Sequence, residues 1–416
     1  MIRKLTGVTL GAVAIALVAC GGSGSDGGER SPTVSASPTP APVTASPTPT
    51  PGPSLELGIY SVGVDGSGLR LLLPGFITRD ATPDGRYVAG AEFCAYPGHL
   101  QIVETQSGTA NQVATFAGIV ARIKISPDGG KIIVAEQSPE HPITPLLYLV
   151  DADGEGRPQA LFEGWDVEWS PDGSRIRIID RPPDNQDWTL SVFEVTTGVT
   201  ILVDSAPVIF SAKWSPDSSK LAYSTGSDAA ISDSQLWLWD RGTGLTRSLE
   251  TGGNPVVWWP DGQSIVVVEP GGQNTPMVRI PIDGSSSIAL GEQSRFAISS
   301  SGELIARRIF TGAEQTELRI AGAESEVVVT GLVQPAGHLS FSPDSEVLAF
   351  TGQEFSRDEG GLVVDATGVN VYTVQVDGSN VRRIADTVQS VILGWTPDGK
   401  VLFASVLGAG CERPFD

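Results

Sequence analysis

Past residue 55 one phrase recurs: an apolar residue or Trp, one further residue, Pro-Asp-Gly, and then an alternating apolar run. Its copies are Ala81-Thr82-Pro83-Asp84-Gly85, Ile125-Ser126-Pro127-Asp128-Gly129, Trp169-Ser170-Pro171-Asp172-Gly173 and Trp214-Ser215-Pro216-Asp217-Ser218. Trp258-Trp259-Pro260-Asp261-Gly262, Phe341-Ser342-Pro343-Asp344-Ser345 and Trp395-Thr396-Pro397-Asp398-Gly399 continue it, with a degenerate copy at Ile298-Ser299-Ser300-Ser301-Gly302. From one Pro (or Ser300) to the next the intervals are 44, 44, 45, 44, 40, 43 and 54 residues. A single Pro-Asp-Gly is common, but eight copies at near-constant spacing define a structural period.

Each copy has a mechanical reading. Pro presets φ for the second position of a type I turn, Asp suits the third, and Gly accepts the positive φ that follows. Strand-like residues flank it, as in Val167-Glu168-Trp169 and Arg175-Ile176-Arg177-Ile178, and a second hairpin follows about twenty residues later, as at Asp151-Ala152-Asp153-Gly154. Four strands per ~44 residues is the blade length of a β-propeller. The high content of Gly (49) and Pro (30) agrees with many short strands joined by turns. The chain begins with two outer strands, Ile59-Tyr60-Ser61-Val62 and Leu69-Arg70-Leu71-Leu72, and ends with an inner pair that includes Val401-Leu402-Phe403-Ala404. Pairing them closes the ring and removes two open sheet edges. The prediction is therefore an all-β, eight-bladed propeller over residues 55–416. It would be seven-bladed if the degenerate copy were mere linker, but Thr316-Glu317-Leu318-Arg319-Ile320 supplies that blade's third strand on schedule.

The repeat resembles that of the TolB-like propeller family, which carries this Trp-Ser-Pro-Asp-Gly hairpin, over roughly residues 57–407. The resemblance implies the fold, and it implies engagement of other envelope proteins. The helix-rich N-terminal domain of TolB has no counterpart here, so the cell-division role does not carry over. TolB-like propellers also resemble the N-terminal domains of prolyl oligopeptidase and dipeptidyl peptidase relatives, and some related propellers resemble polysaccharide lyases or other sugar-active proteins.

Residues 1–20 read as an export signal. Arg3 and Lys4 precede an apolar run too short and too rich in Gly and Ala to span a bilayer comfortably. Leu17-Val18-Ala19-Cys20 then resembles the lipobox of bacterial lipoproteins, in which the cysteine is acylated, so Cys20 is the expected lipidation site. An ordinary signal peptide with an incidental cysteine is the alternative. Residues 21–54 hold Gly, Ser, Thr, Ala and Pro, with eight prolines in 31–54. Such a composition forms no core and favours a disordered, polyproline-like stalk, reaching at most on the order of 100 Å. The expected location is the outer side of the cytoplasmic membrane, with the outer membrane as alternative.

Charge restricts the partners. Acidic residues outnumber basic ones 48 to 27, and residues 55–416 alone hold 46 against 24, a net −22. Nucleic acid and direct adsorption to anionic lipid are both excluded by that balance. Membrane attachment then falls to the lipid anchor, and the expected partner of a monomeric propeller is another envelope or extracellular protein or peptide. Cys94 and Cys411 each follow the second strand of neighbouring blades. In an oxidising compartment they are predicted to form a disulfide across the ring seam, the alternative being two buried thiols.

No G-x-S-x-G, H-E-x-x-H or C-x-x-C motif occurs, and neither a metal nor a cofactor is expected. No catalytic residue is assigned, and the sequence leans away from catalysis. A carbohydrate-active or other enzyme at the channel mouth is the alternative, with only His99, His141 and His338 to serve it. His141 reads as an exposed loop residue. Asp151 to Gly156 resembles the start of a calcium loop, but Phe162 stands where an acidic twelfth ligand is needed, so a hairpin turn is expected. Trp169, Trp214, Trp258 and Trp395 are expected to pack between blades, whereas Trp188 and Tyr96 suit an exposed role. Binding is expected on the face opposite the Pro-Asp-Gly turns, with its uneven connections Cys94 to His99, Gln137 to Pro145, Arg181 to Trp188, Ser224 to Ser234 and Gly352 to Asn370. Near the start of the inner strands Arg79, Arg122, Asp166, Arg295 and His338 recur at comparable positions. They are candidates to ring the channel mouth and grip a small anion or a peptide terminus, or else to pair with one another.

Overall fold

The repeated turn builds the ring from the bottom. In the third copy the Gly173 N–H donates to the Ser170 carbonyl at 2.9 Å and closes the turn. The Ser170 hydroxyl donates to Asp172 Oδ1 at 2.5 Å and accepts the Arg175 N–H at 3.0 Å, while Asp172 Oδ1 also accepts the Ser174 N–H at 3.0 Å. The same hydroxyl–carboxylate pair recurs at Thr82–Asp84, Ser126–Asp128, Ser215–Asp217, Ser342–Asp344 and Thr396–Asp398. The degenerate copy keeps the turn, with Gly302 N–H on the Ser299 carbonyl at 2.9 Å. In place of the carboxylate it has a hydroxyl pair, Ser299 Oγ to Ser301 Oγ at 3.2 Å. Where Trp259 supplies no hydroxyl, Arg279 lies over its ring at 4.0 Å and binds Asp261 at 2.9 Å.

The structure is a computed structural model. It describes residues 55–406 except 93–96, 139, 165, 182–186, 228–233, 250–252, 269–273, 313–314, 324, 330–332, 358–362 and 367. Cys20, the signal sequence, the stalk, Tyr96 and both Cys94 and Cys411 lie outside the described residues. Among the described residues all regular structure is β-strand, and no helix is long and apolar enough to cross a membrane.

Eight antiparallel sheets of four strands form the ring. Blade one opens with Phe76–Ala81 at its inner edge, blade two with Ile119–Ile125, blade three with Asp166–Trp169 and blade four with Val208–Trp214. Blades five, six and seven open with Asn254–Trp258, Arg295–Ile298 and Val333–Phe341. The closing blade combines inner strands Ser390–Trp395 and Val401–Ser405 with outer strands Gly58–Val62 and Arg70–Pro74. Its junction runs from Gly58↔Ser405 to Val62↔Val401. Ile59, Val62, Leu402 and Phe403 are fully buried there, and Tyr60 stacks on Phe403 at 5.5 Å. From the outer strand of this blade Arg70 donates to the Gln106 and Ser107 carbonyls of blade one at 3.0 and 2.7 Å. The degenerate copy is thus a blade, and the count is eight.

Blades cohere through apolar clusters that span neighbouring sheets, such as Leu190, Val192, Ile209, Trp214 and Tyr223 between blades three and four. The repeated tryptophans are buried as predicted. Trp169 Nε1 donates to the Lys124 carbonyl of the preceding blade at 2.9 Å and Trp258 Nε1 to the Lys213 carbonyl at 2.8 Å. Trp395 reaches Ser340 at 3.1 Å. Trp214 meets Trp239 edge to face at 6.4 Å.

Two of the expected loops are not loops. Lys131–Ser138 and His141–Asp151 pair as far as Ser138↔His141, so Gln137 to Pro145 is a continued hairpin. Val347–Arg357 likewise runs past the blade and pairs with Val363–Ala366, within the segment from Gly352 to Asn370. His141 is accordingly a half-buried strand residue whose Nδ1 lies 2.8 Å from Glu163. Its polar flanks suggested a loop, but ladder pairing of the hairpin satisfies the backbone and extends the strand through them.

Candidate functional site

Inner strands place one side chain per blade at each level of the channel. Arg122, Asp166, Arg295 and His338 stand five residues before the Pro (or Ser300) of their turns, and Arg79 stands four before Pro83. They do not form a uniform ring. Arg122 Nη1 binds Asp166 Oδ1 at 3.1 Å, and Asp166 also holds Arg177, whose side chain is 2% exposed. The second nitrogen of Arg177 reaches Glu168 at 2.9 Å, and Glu168 receives Lys213 at 3.3 Å. Burial works against the Asp166 charge, but Arg177 and Arg122 outweigh it and hold the carboxyl below its ordinary pKa.

A level nearer the turns was missed by sequence reasoning. Three residues before each Pro, blades one to four carry Asp80, Lys124, Glu168 and Lys213, alternating in sign. Aligning the repeats on their prolines reveals this pattern directly. Lys124 binds Asp80 at 3.1 Å, and Asp80 also accepts the Ile125 N–H at 3.0 Å. Burial nevertheless pushes the Asp80 pKa up, with Lys124 and the amide offsetting only part of it. Asp80, Lys124 and Glu168 line a cavity of about 550 Å³ with Trp169 and the prolines Pro83, Pro127, Pro171 and Pro216. It opens at the turn end of the channel, whereas the sequence directed attention to the other face.

The opposite arc is basic. Arg295 pairs in register with Arg308 across blade six, and Arg308 Nε donates to Ser294 Oγ at 2.9 Å. Lost hydration above all, and then the charges of Arg295 and Arg79, push the pKa of His338 in blade seven below the ordinary histidine value. Its side chain is exposed along the channel, while protein on several sides thins its hydration. His99 is not part of this group, since its ring meets Thr115 at 3.2 Å in the third strand of blade one. Trp188 is half-buried beneath Arg181, 5.2 Å from its ring. Among the described residues no three His, Cys, Asp or Glu side chains converge as a metal site. The Asp151 segment is a turn, with Gly154 N–H on the Asp151 carbonyl at 3.1 Å.

No family model matches the sequence, and no curated protein matches it significantly. Solved structures share the fold. An oligogalacturonate lyase from Vibrio parahaemolyticus is 16% identical with a TM-score of 0.50, the match covering 73% of this chain and 95% of that one. A structure of prolyl endopeptidases is 15% identical with a TM-score of 0.57, covering 75% of this chain and 50% of the peptidase chain. TolB from Acinetobacter baumannii is 15% identical with a TM-score of 0.40, covering 78% and 81%. At these identities the first two likenesses concern the fold alone, and that fold is shared by propellers of different activity.

Proposed function

We propose that this chain is a binding or scaffolding module for a protein or peptide partner, exported and anchored through Cys20 outside the cytoplasmic membrane. The observation that carries the reading is the pair of elongated hairpins in blades two and seven, which continue past their sheets on the face opposite the turns. Backbone pairing orders them before any partner arrives, so little entropy remains to be lost on binding. They flank the closing blade and blade one, and the basic arc lies on that same face. By contrast, Arg122 with Asp166, Lys124 with Asp80 and Lys213 with Glu168 neutralise one another.

Proximity labelling in the native envelope tests this reading. It compares the intact chain with one whose hairpins are trimmed to the Glu136↔Leu146 and Gly352↔Asn370 pairs. One protein should be enriched reproducibly around the intact chain and lost on trimming. Identical labelling by both forms, or no enrichment accompanied by hydrolysis of cell-wall glycans, overturns it.

A further inference from the structure

We propose that the cavity at the turn end of the channel, over blades one to four, binds an organic cation: the ammonium or guanidinium end of a peptide side chain or of a small amine. It lies at the other end of the channel from the extended hairpins of blades two and seven, so it stands or falls independently of the binding reading above. The site begins in the repeat. Three residues before the Pro (or Ser300) of their turns, blades one to four carry Asp80, Lys124, Glu168 and Lys213, whereas blades five to seven and the closing blade carry Val257, Ala297, Ser340 and Gly394. Titratable groups at this level are confined to half of the ring, and the cavity of about 550 Å³ lies over that half. Sites for small ligands span about 300–1,000 Å³, and this volume falls within that range.

Two features select the ligand. The walls are apolar and rigid, made of Trp169 and one proline from each of four consecutive turns, rings with no rotamer freedom to lose on binding. They suit an aliphatic stem. The charged lining is acidic on balance, with Asp80, Asp84 and Glu168 against Lys124. Glu168 is shared between Arg177 at 2.9 Å and Lys213 at 3.3 Å, and Asp84 faces solvent, bonded within its own turn. Asp80, the least exposed of the three at 21%, has Lys124 at 3.1 Å on one oxygen and the Ile125 amide at 3.0 Å on the other. These two offset only part of the cost of burying the carboxylate. Lys124 is 40% exposed on a flexible stem, so its ammonium can move aside. A cation entering from the cavity supplies the missing charge at Asp80, beside Lys124 or in its place.

Titration calorimetry of the full chain tests the site at ~0.15 M ionic strength, where diffuse attraction to the ring's net charge is screened. The probes are Nα-acetyl-lysine amide, n-butylamine, and Nα-acetyl-norleucine amide, which keeps the aliphatic stem without the charge. Both amines should bind saturably with a Kd on the order of millimolar, and the norleucine compound should not. Tighter binding of the lysine amide than of butylamine assigns the ligand to a peptide, and equal binding assigns it to a small amine. Lys124→Gln removes the resident ammonium and should tighten amine binding about fivefold, whereas Asp80→Asn should weaken it about tenfold. Urea unfolding checks that both variants fold. Lys124→Gln changes a side chain that reaches solvent, so it decides the matter even if Asp80→Asn loosens the contact between blades one and two. No saturable binding of either amine, equal binding of the norleucine compound, or unchanged or weaker amine binding in Lys124→Gln overturns the site.

Discussion

Replacing Ser215 by Ala tests whether the turn carboxylate anchors each blade. The buried hydroxyl donates to Asp217 Oδ1 at 2.6 Å and accepts the Lys220 N–H at 2.9 Å. Hydrogen bonds to charged groups contribute about 1.5–3 kcal/mol, and solvent at the exposed Asp217 favours the lower end of that range. The stranded Lys220 N–H adds about 1 kcal/mol, for a total loss of about 2–3 kcal/mol. Ser299→Ala provides the internal comparison, because its partner is the neutral Ser301 hydroxyl and its Leu304 N–H bond at 3.0 Å is equivalent. That loss should be about 1 kcal/mol smaller. The pH dependence has a definite sign. Chiefly through the Ser215 bond, the Asp217 pKa is lowered from 3.8 to about 2. Its contribution is therefore present above pH 3.8 and is lost as pH falls through about 2. Asp84, Asp128, Asp172, Asp344 and Asp398 shift in the same direction, although partial burial opposes the shift at Asp84 and Asp172 and Lys400 contributes most at Asp398. Urea unfolding at pH 7 with an unchanged m-value measures both losses. Equal losses at Ser215 and Ser299, or no coupling between Ser215→Ala and Asp217→Ala in a double-mutant cycle, would refute the reasoning.

Gly85→Ala should destabilise by several kcal/mol, since an added Cβ would lie 1.6 Å from the Trp395 carbonyl oxygen at the seam. Gly399→Ala, also at positive φ but with nothing within 4 Å, should cost only about 1–2 kcal/mol; similar losses in urea would show that the seam does not depend on that contact. Intact-mass analysis after alkylation, with and without reductant, should find Cys94 and Cys411 joined, and two alkylated thiols without reductant would disprove the disulfide. Stability should fall as pH drops below the ordinary histidine value, because lost hydration, with Arg295 and Arg79, lowers the His338 pKa and the unfolded chain takes up the proton first. Urea unfolding of His338→Gln with the same pH dependence as the parent chain would refute it.

The repeat carried the architecture, and particular residues show how far its reach extends. Pro-Asp-Gly encodes its own turn through local hydrogen bonds, so spacing alone located eight hairpins, and the unpaired strands at the two ends dictated ring closure. Extended hairpins were harder to see. Around His141 polar residues and Pro142 imitate a loop, while ladder pairing to Lys131–Ser138 decides otherwise. Arg122 and Asp166 read as members of one charged ring because they occupy equivalent repeat positions. Whether such neighbours attract or repel depends on distances between blades, and these made Arg122 and Asp166 an ion pair.

By itself, the sequence determined the blade, its turn, the number of copies and the seam, because each follows from contacts within one repeat or from the order of strands along the chain. Only the tertiary structure decided what neighbouring repeats do to each other. Ser218 and Ser345 occupy the left-handed region at φ 60° and 62°, where the repeat prefers Gly. The sequence marks them as exceptions without a reason. In the ring, Ser218 Oγ accepts the Asp172 N–H of the preceding blade at 3.0 Å and Ser345 Oγ meets Ser300 Oγ at 3.3 Å, so a bond to another repeat offsets the strain in its own. Those partners lie 45 or 46 residues away in the chain, and the packing of consecutive blades brings them into contact.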